Sequence, residues 1–178
     1  MYRPFRFGLV IANAPSPTAF TALARRAEEL GYATLLMPDR TNTGLAPLIA
    51  LAIAAEVTTS LRVGSYMFCN DYRHPALLSK EVATLDFLSG GRFELGLGAG
   101  VGPLELAQLS YVLTIVDNLV DRNFEGEGPP IALFVMSASQ AVEHLLEQRE
   151  RYGFSYIPVY GGVQMEKFAP VVAQLASK

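Results

Sequence analysis

The residue types able to do chemistry in this chain stand at the ends of short apolar runs. Asp39 and Arg40 follow the run Thr34 to Met37 in the stretch MPDR. Cys69 ends the run that opens at Val63, and the polar loop Asn70-Asp71-Tyr72-Arg73-His74 follows it. Gly96-Leu97-Gly98-Ala99-Gly100 ends a third. An arginine cannot shuttle a proton, but Arg40 can hold an anionic ligand, or it can pair with Asp39 at the surface. The glycine run is not the GxGxxG dinucleotide fingerprint, which needs a third glycine at position 101 or 103. His74 precedes Pro75 and is held extended just before a helix start, where the helix dipole disfavours its protonated form. It either donates a hydrogen bond as neutral imidazole or orders its loop. His144 lies in a charged helix and reads as solvated. Two separated histidines and one cysteine make no metal site. No histidine is placed to activate Cys69, which reads as a small buried hydrophobe.

Those residues need a scaffold, and the apolar pattern supplies one. Phe5 to Ala12 is a strand apolar almost throughout, as a strand covered on both faces is. Ser16 and Pro17 then open a helix carrying Phe20, Leu23, Ala24, Ala27 and Leu30 at helical spacing, and Gly31 ends it. Thr34 to Met37 is the second strand, and Pro47 to Thr58 an apolar helix expected to be deeply packed. Val63 to Cys69 and Phe93 to Leu97 are strands joined by a helix that starts at Pro75, carries a stripe of Leu78, Val82, Leu85 and Leu88, and stops at Ser89-Gly90-Gly91. Such a crossover makes its two strands parallel. Past Gly100, residues 101–108 have no clean period. Ser110 to Val116 reads as a strand and Asn123 to Pro130 as a loop. Ser137 and Gln140 have capping-box spacing at the head of a helix reaching Tyr152. Ser155 to Tyr160 is a last strand, and Phe168 to Leu175 a last helix started or interrupted by Pro170. In a parallel α/β protein, sites collect at the strands' C-terminal ends, where Asp39, Cys69 and the glycine run all fall.

The chain has 178 residues, 51% hydrophobic and 17% charged, enough for one substantial core. A net charge of −3 gives no electrostatic case for nucleic acid or an anionic membrane surface. A single cysteine makes no internal disulfide, which points to a cytoplasmic chain. No signal peptide is visible, and the longest apolar run, Leu45 to Val57, is too short to span a bilayer.

The run RHPALLSKEVATLDFLSGGRFELGLGAG, Arg73 to Gly100, resembles the bacterial luciferase-like family. Its members are flavin- or deazaflavin-dependent oxidoreductases built on a (β/α)₈ barrel. The stretch AVEHLLEQRERYGFSYIPVYGG…FAPVVAQLA looks like that family's last helix, strand and helix. The first hundred residues look like its first four βα units. A full barrel takes about 250 residues. The resemblance therefore implies a single domain over 1–178, an α/β TIM-barrel-like parallel repeat that is incomplete, with about six strands and the join between Gly100 and Ser110.

The same resemblance implies a deazaflavin coenzyme (F-420) or FMN at the strand C-termini, and hydride transfer or monooxygenation on a small organic substrate. The alternative is a degenerate barrel that binds without catalysing. In deazaflavin-dependent members an acid at the position of Asp39 contacts the cofactor and a histidine often follows; here Arg40 follows. The third strand matches a bulge with a non-proline cis peptide, which would be Tyr66–Met67. The glycine turn would bring backbone amides to the cofactor's phosphate. The implied cofactor-contacting set is Asp39, Arg40, Tyr66, Met67, Cys69, Gly98, Ala99 and Gly100, with no catalytic residue singled out. Exposed sheet edges and the apolar helices Pro47 to Thr58 and Pro75 to Leu88 point to a homodimer, as luciferase-like proteins commonly form.

Overall fold

The computed structural model describes residues 4–40, 44–98, 111–115, 132–153 and 155–176. Strand β1 (Arg6–Val10), helix α1 (Pro17–Glu29), β2 (Thr34–Met37), α2 (Pro47–Glu56) and β3 (Arg62–Ser65) alternate along the first third. After a break at Tyr66 and Met67 come β4 (Phe68–Cys69), a 3₁₀ turn (Asn70–Tyr72), α3 (Pro75–Leu88), β5 (Phe93–Glu94) and β6 (Leu97–Gly98). Then follow β7 (Tyr111–Ile115), β8 (Ala132–Met136), α4 (Ala138–Tyr152), β9 (Tyr156–Tyr160) and α5 (Gly162–Leu175). Five strands form one sheet in the order β5-β3-β2-β1-β9, every neighbour parallel. β4 pairs with β6, and β7 with β8, also in parallel.

The helix ends are set by the residues that the sequence marks. The Ser16 hydroxyl accepts from the Ala19 N–H at 3.1 Å, with Pro17 in the first turn. His74 Nδ1 accepts from the Ala76 N–H at 3.3 Å, so this histidine caps α3 and orders its loop. Both halves of the Ser137–Gln140 capping box are made. Gly90 and Gly91, at φ 68° and 81°, take the chain out of α3.

Two side-chain anchors hold the elements in register. Arg92 donates to the carbonyls of Ala55, Leu61 and Ser89 at 2.7–2.9 Å, tying the end of α2 and the approach to β3 to the end of α3. The Glu28 carboxylate, on α1, accepts from the N–H groups of Thr59, Ser60 and Leu61 at 2.6–2.9 Å. Those three amides hold its pKa down at about 2, against the opposing effect of burial.

Alternation divides the sheet into two faces. Phe7, Leu9, Leu35, Met37, Val63, Ile157 and Val159 are buried with Phe20, Ala24, Leu51, Ala54, Phe168 and Val172 of the helices. The other face carries Arg6, Thr34, Arg62, Glu94, Tyr156 and Tyr160, and it is concave. The rings of Tyr66, just past β3, and Tyr160, ending β9, lie 6.1 Å apart. Three strand spacings, about 14 Å on a flat sheet, separate those strands. The two side chains lean toward each other over that face and meet between the strands.

The structure departs from the sequence reading in four places. Among the described residues nine strand segments replace the expected six: the third and fourth expected strands each divide, and β8 is an additional strand. α5 begins at Gly162, not Phe168, and runs through Pro170. α2 is not deeply packed all round, since Ile49 is 71% exposed and Ile53 is exposed too. Leu88, expected on the inner stripe of α3, is exposed, and Leu78 and Leu85 alone of that stripe are fully buried. Each helix has only one side against the sheet, so among the described residues its remaining apolar side chains are left uncovered. The expectations for 101–108 and 123–130 lie outside the described residues.

Candidate active site

The C-terminal ends of the strands converge at one mouth of the concave face. Asp39, two residues past β2, is held there by three donors. Its Oδ2 accepts from the Cys69 N–H at 3.0 Å and from Arg73 Nη1, and its Oδ1 accepts from Arg73 Nη2 at 3.0 Å. The carboxylate side chain is only 5% exposed. Arg73 also lies 5.0 Å over the Phe68 ring. Bonding to Asp39 raises the guanidinium's pKa against the effect of burial. The ion-pair partner of Asp39 is therefore Arg73 from the loop after β4, and the surface pairing with Arg40 is not made. Arg40 is exposed, with no ion pair among the described residues. Arg73 meets both carboxylate oxygens at once, the fork-to-carboxylate geometry. The clamp fixes the end of β4 and leaves little of Asp39 open to a ligand. Cys69 is buried and contributes packing and its backbone N–H.

Beside this clamp the Tyr66–Met67 peptide is cis, as the family resemblance implies. Tyr66 N–H donates to the Met37 carbonyl and Phe68 N–H to the Gly96 carbonyl, both at 2.8 Å. The Ser65 hydroxyl donates to the Gly96 carbonyl and accepts from its N–H, each at 2.8 Å. This stitch is where the chain leaves the β3–β5 ladder for the β4–β6 one. A Cβ on Gly96 would stand 2.4 Å from the Ser65 carbonyl oxygen, so no other residue fits. Gly98 lies opposite Cys69 in register, and a Cβ there would meet the Met67 methyl at 2.9 Å. Met67 lies against Gly98, and with Tyr66 it leaves an exposed, largely apolar wall. Asp39, Cys69 and Gly98 thus come together at one end of the sheet. Ala99 and Gly100 lie outside the described residues.

Three contributors are missing from the implied cofactor-contacting set: Ser65, Arg73 and Tyr160. Tyr160 packs edge-on against Tyr66 at an interplanar angle of 75°. Burial, reinforced by Tyr66, pushes its pKa up, and Arg40 acts in the opposite sense. Its sequence signal was its place as the last residue of a strand, just before Gly161-Gly162. The other end of the concave face is a charged floor. Arg62 Nε donates to Glu94 at 2.6 Å, Arg6 pairs with the same carboxylate, and Arg6 also donates to the Thr34 hydroxyl at 3.2 Å. Floor and wall define a cleft open at the C-terminal ends of the strands. An exposed wall of tyrosine and methionine, with a glycine where a side chain would intrude, fits one face of a flat ring system.

The family model described as luciferase-like monooxygenase matches residues 2–117. The chain belongs to the luciferase-like monooxygenase family. Its relatives include a 4-hydroxyprotoasukamycin monooxygenase of Streptomyces nodosus subsp. asukaensis, 34% identical over 88 residues, 47% of this chain and 24% of that one. A 5,10-methylenetetrahydromethanopterin reductase of Methanopyrus kandleri is 31% identical over 94 residues, 53% of this chain and 27% of that one. The structure of the coenzyme F-420-dependent tetrahydromethanopterin reductase of Methanopyrus kandleri superposes with a TM-score of 0.52 at 29% identity. It covers 56% of this chain and 28% of the other. This luciferase-like chain matches about a quarter of the length of these relatives, and its fold is a partial TIM-barrel-like sheet.

Proposed function

We propose that this protein is an oxidoreductase that binds a deazaflavin coenzyme (F-420) or FMN in the cleft and acts on a small organic substrate. One observation carries the reading: the exposed wall of Tyr66 and Met67 over Gly98 stands at the strand C-termini of a luciferase-like chain. Tyr66, Met67 and Gly98 would hold the ring, Ala99 and Gly100 would continue toward the phosphate, and Arg40 would meet the anionic part. Asp39 and Cys69 act through the Arg73 clamp by fixing the wall's position. Such a cofactor supplies hydride transfer at its ring, or oxygenation for FMN; the protein supplies position and a dry surface. Titrating the purified chain with FMN and with F-420, each followed by cofactor fluorescence, tests the reading. Saturable quenching by either is expected, and none by both would end it.

A second reading has its own support. β5 and β9 are unpaired edges of the five-stranded sheet among the described residues, and Arg40 stands where relatives often carry histidine. Both favour a barrel that binds without turning over. Binding with no hydride transfer to any carbonyl substrate would select it.

The apolar surface of α2 and α3 supports a homodimer. Phe87 is 82% exposed, Ile49, Ile53, Leu77 and Leu88 are also exposed, and a groove runs between the two helices. A contiguous apolar surface of that kind on a folded chain marks an interface. No helix among the described residues is long and apolar enough to cross a membrane. The single cysteine supports a cytoplasmic setting.

A further inference from the structure

We propose that the hydroxyl of Tyr160, whose ring is set edge-on against Tyr66, is the hydrogen-bond donor that receives the carbonyl or hydroxyl oxygen of the substrate. The proposal rests on the oxidoreductase reading above and assigns the substrate end of the same cleft. Tyr160 is the last residue of β9, and Tyr66 follows β3 from across the concave face. The two rings meet edge-to-face, a geometry that fixes ring directions better than aliphatic packing does. Tyr66 and Tyr160 are 37% and 42% exposed, so neither ring is sunk in the core.

Tyr32 shows what a structural tyrosine looks like in this protein. It is buried, and its hydroxyl donates to the Met165 carbonyl at 2.9 Å. Among the described residues the Tyr160 hydroxyl has no backbone carbonyl of that kind, and its ring packs against Tyr66. A phenol is protonated at neutral pH in any case, and burial followed by Tyr66 pushes its pKa further up, so it stays a donor. The wall at Tyr66, Met67 and Gly98 would then take the cofactor ring, and the Tyr160 side the reacting oxygen. Tyr66 is a positioning residue for Tyr160.

The test uses the full chain, with and without FMN, and para-dimethylaminobenzaldehyde as probe. The absorption of this aldehyde moves to longer wavelength when its carbonyl oxygen accepts a hydrogen bond. Wild type is expected to bind it saturably with that red shift. Tyr160→Phe is expected to lose the red shift and bind about tenfold more weakly, the loss of one hydrogen bond, with FMN affinity unchanged. Tyr66→Phe keeps the ring contact but removes the neighbouring hydroxyl, so Tyr160 should ionise at lower pH in the tyrosinate absorbance titration. A purely packing role would leave that titration unmoved. No red shift in wild type, or an undiminished shift in Tyr160→Phe, overturns the proposal. Loss of the shift in Tyr160→Phe from a chain that binds neither FMN nor F-420 would support the donor site while removing the cofactor reading.

Discussion

At the scale of single residues, Asp39 and Gly98 stand on opposite sides of one question: which parts of the mouth hold the fold and which face the ligand. Asp39 is nearly enclosed and takes three N–H donors. Asp39→Asn leaves the Arg73 guanidinium part-buried without its counter-charge. Removing one partner of a buried pair is strongly destabilising, and with Arg73 still partly open to solvent the expected loss is about 2 kcal/mol. Urea unfolding at neutral pH measures it; a variant as stable as wild type would show the clamp to be incidental. Gly98→Val acts the other way. Its new side chain would displace the flexible end of Met67 more than any backbone, so the fold should survive. Cofactor binding should weaken by more than about tenfold, because the wall is pushed outward and the turn's amides are shielded. Unchanged FMN affinity in the folded variant would reduce Gly98 to a turn residue.

Elements were easier to read than the contacts between them. The runs around β1, β2, β7 and β9, the cap residues Ser16 and Ser137 and the glycine stop after α3 were all legible, because each is a local signal. What failed was long-range. A single run from Val63 to Cys69 hides the switch of partner at Tyr66, since the switch is set by Gly96 on another element. β8 follows Pro129-Pro130 and directly precedes a strong capping box, which drew the reading past a continuous apolar run. Asp39 has its true partner 34 residues away on Arg73, which spacing cannot announce. Glu28 is another such contact, and it carries a pH signature. Its folded-state pKa is about 2 against an ordinary value of 4.5. A depressed carboxylate contributes stability that is complete above the ordinary value and is lost as pH falls from there toward the folded value. Solvent screening keeps the contribution on the order of 1 kcal/mol. Thermal unfolding should therefore place Glu28→Gln below wild type at neutral pH, with the gap closing near the folded-state pKa. A gap that stayed constant with pH would assign the effect to packing.

The molecule as a whole is a rolled parallel sheet with helices on its outer face, a cleft at the strand C-termini and an apolar surface on α2 and α3. The last feature predicts assembly. Two copies joined through those helices should bury more than roughly 1,600 Å² in total, in a mostly aliphatic interface. Sedimentation at micromolar concentration should show a dimer, and Ile53→Glu should shift it to monomer by placing a charge in the α2–α3 groove. A wild-type monomer would contradict this. The central claim, that the wall at Tyr66 and Met67 receives a flavin or deazaflavin ring, can be read at one atom. The chain has five methionines, of which Met67 is 45% exposed on the wall while Met37 and Met165 are buried. With methyl-labelled methionine, NMR during FMN or F-420 titration should show a saturable ring-current shift of the Met67 methyl, with Met37 and Met165 nearly still. A Met67 signal that stays in place to saturating concentrations of both cofactors would contradict the account.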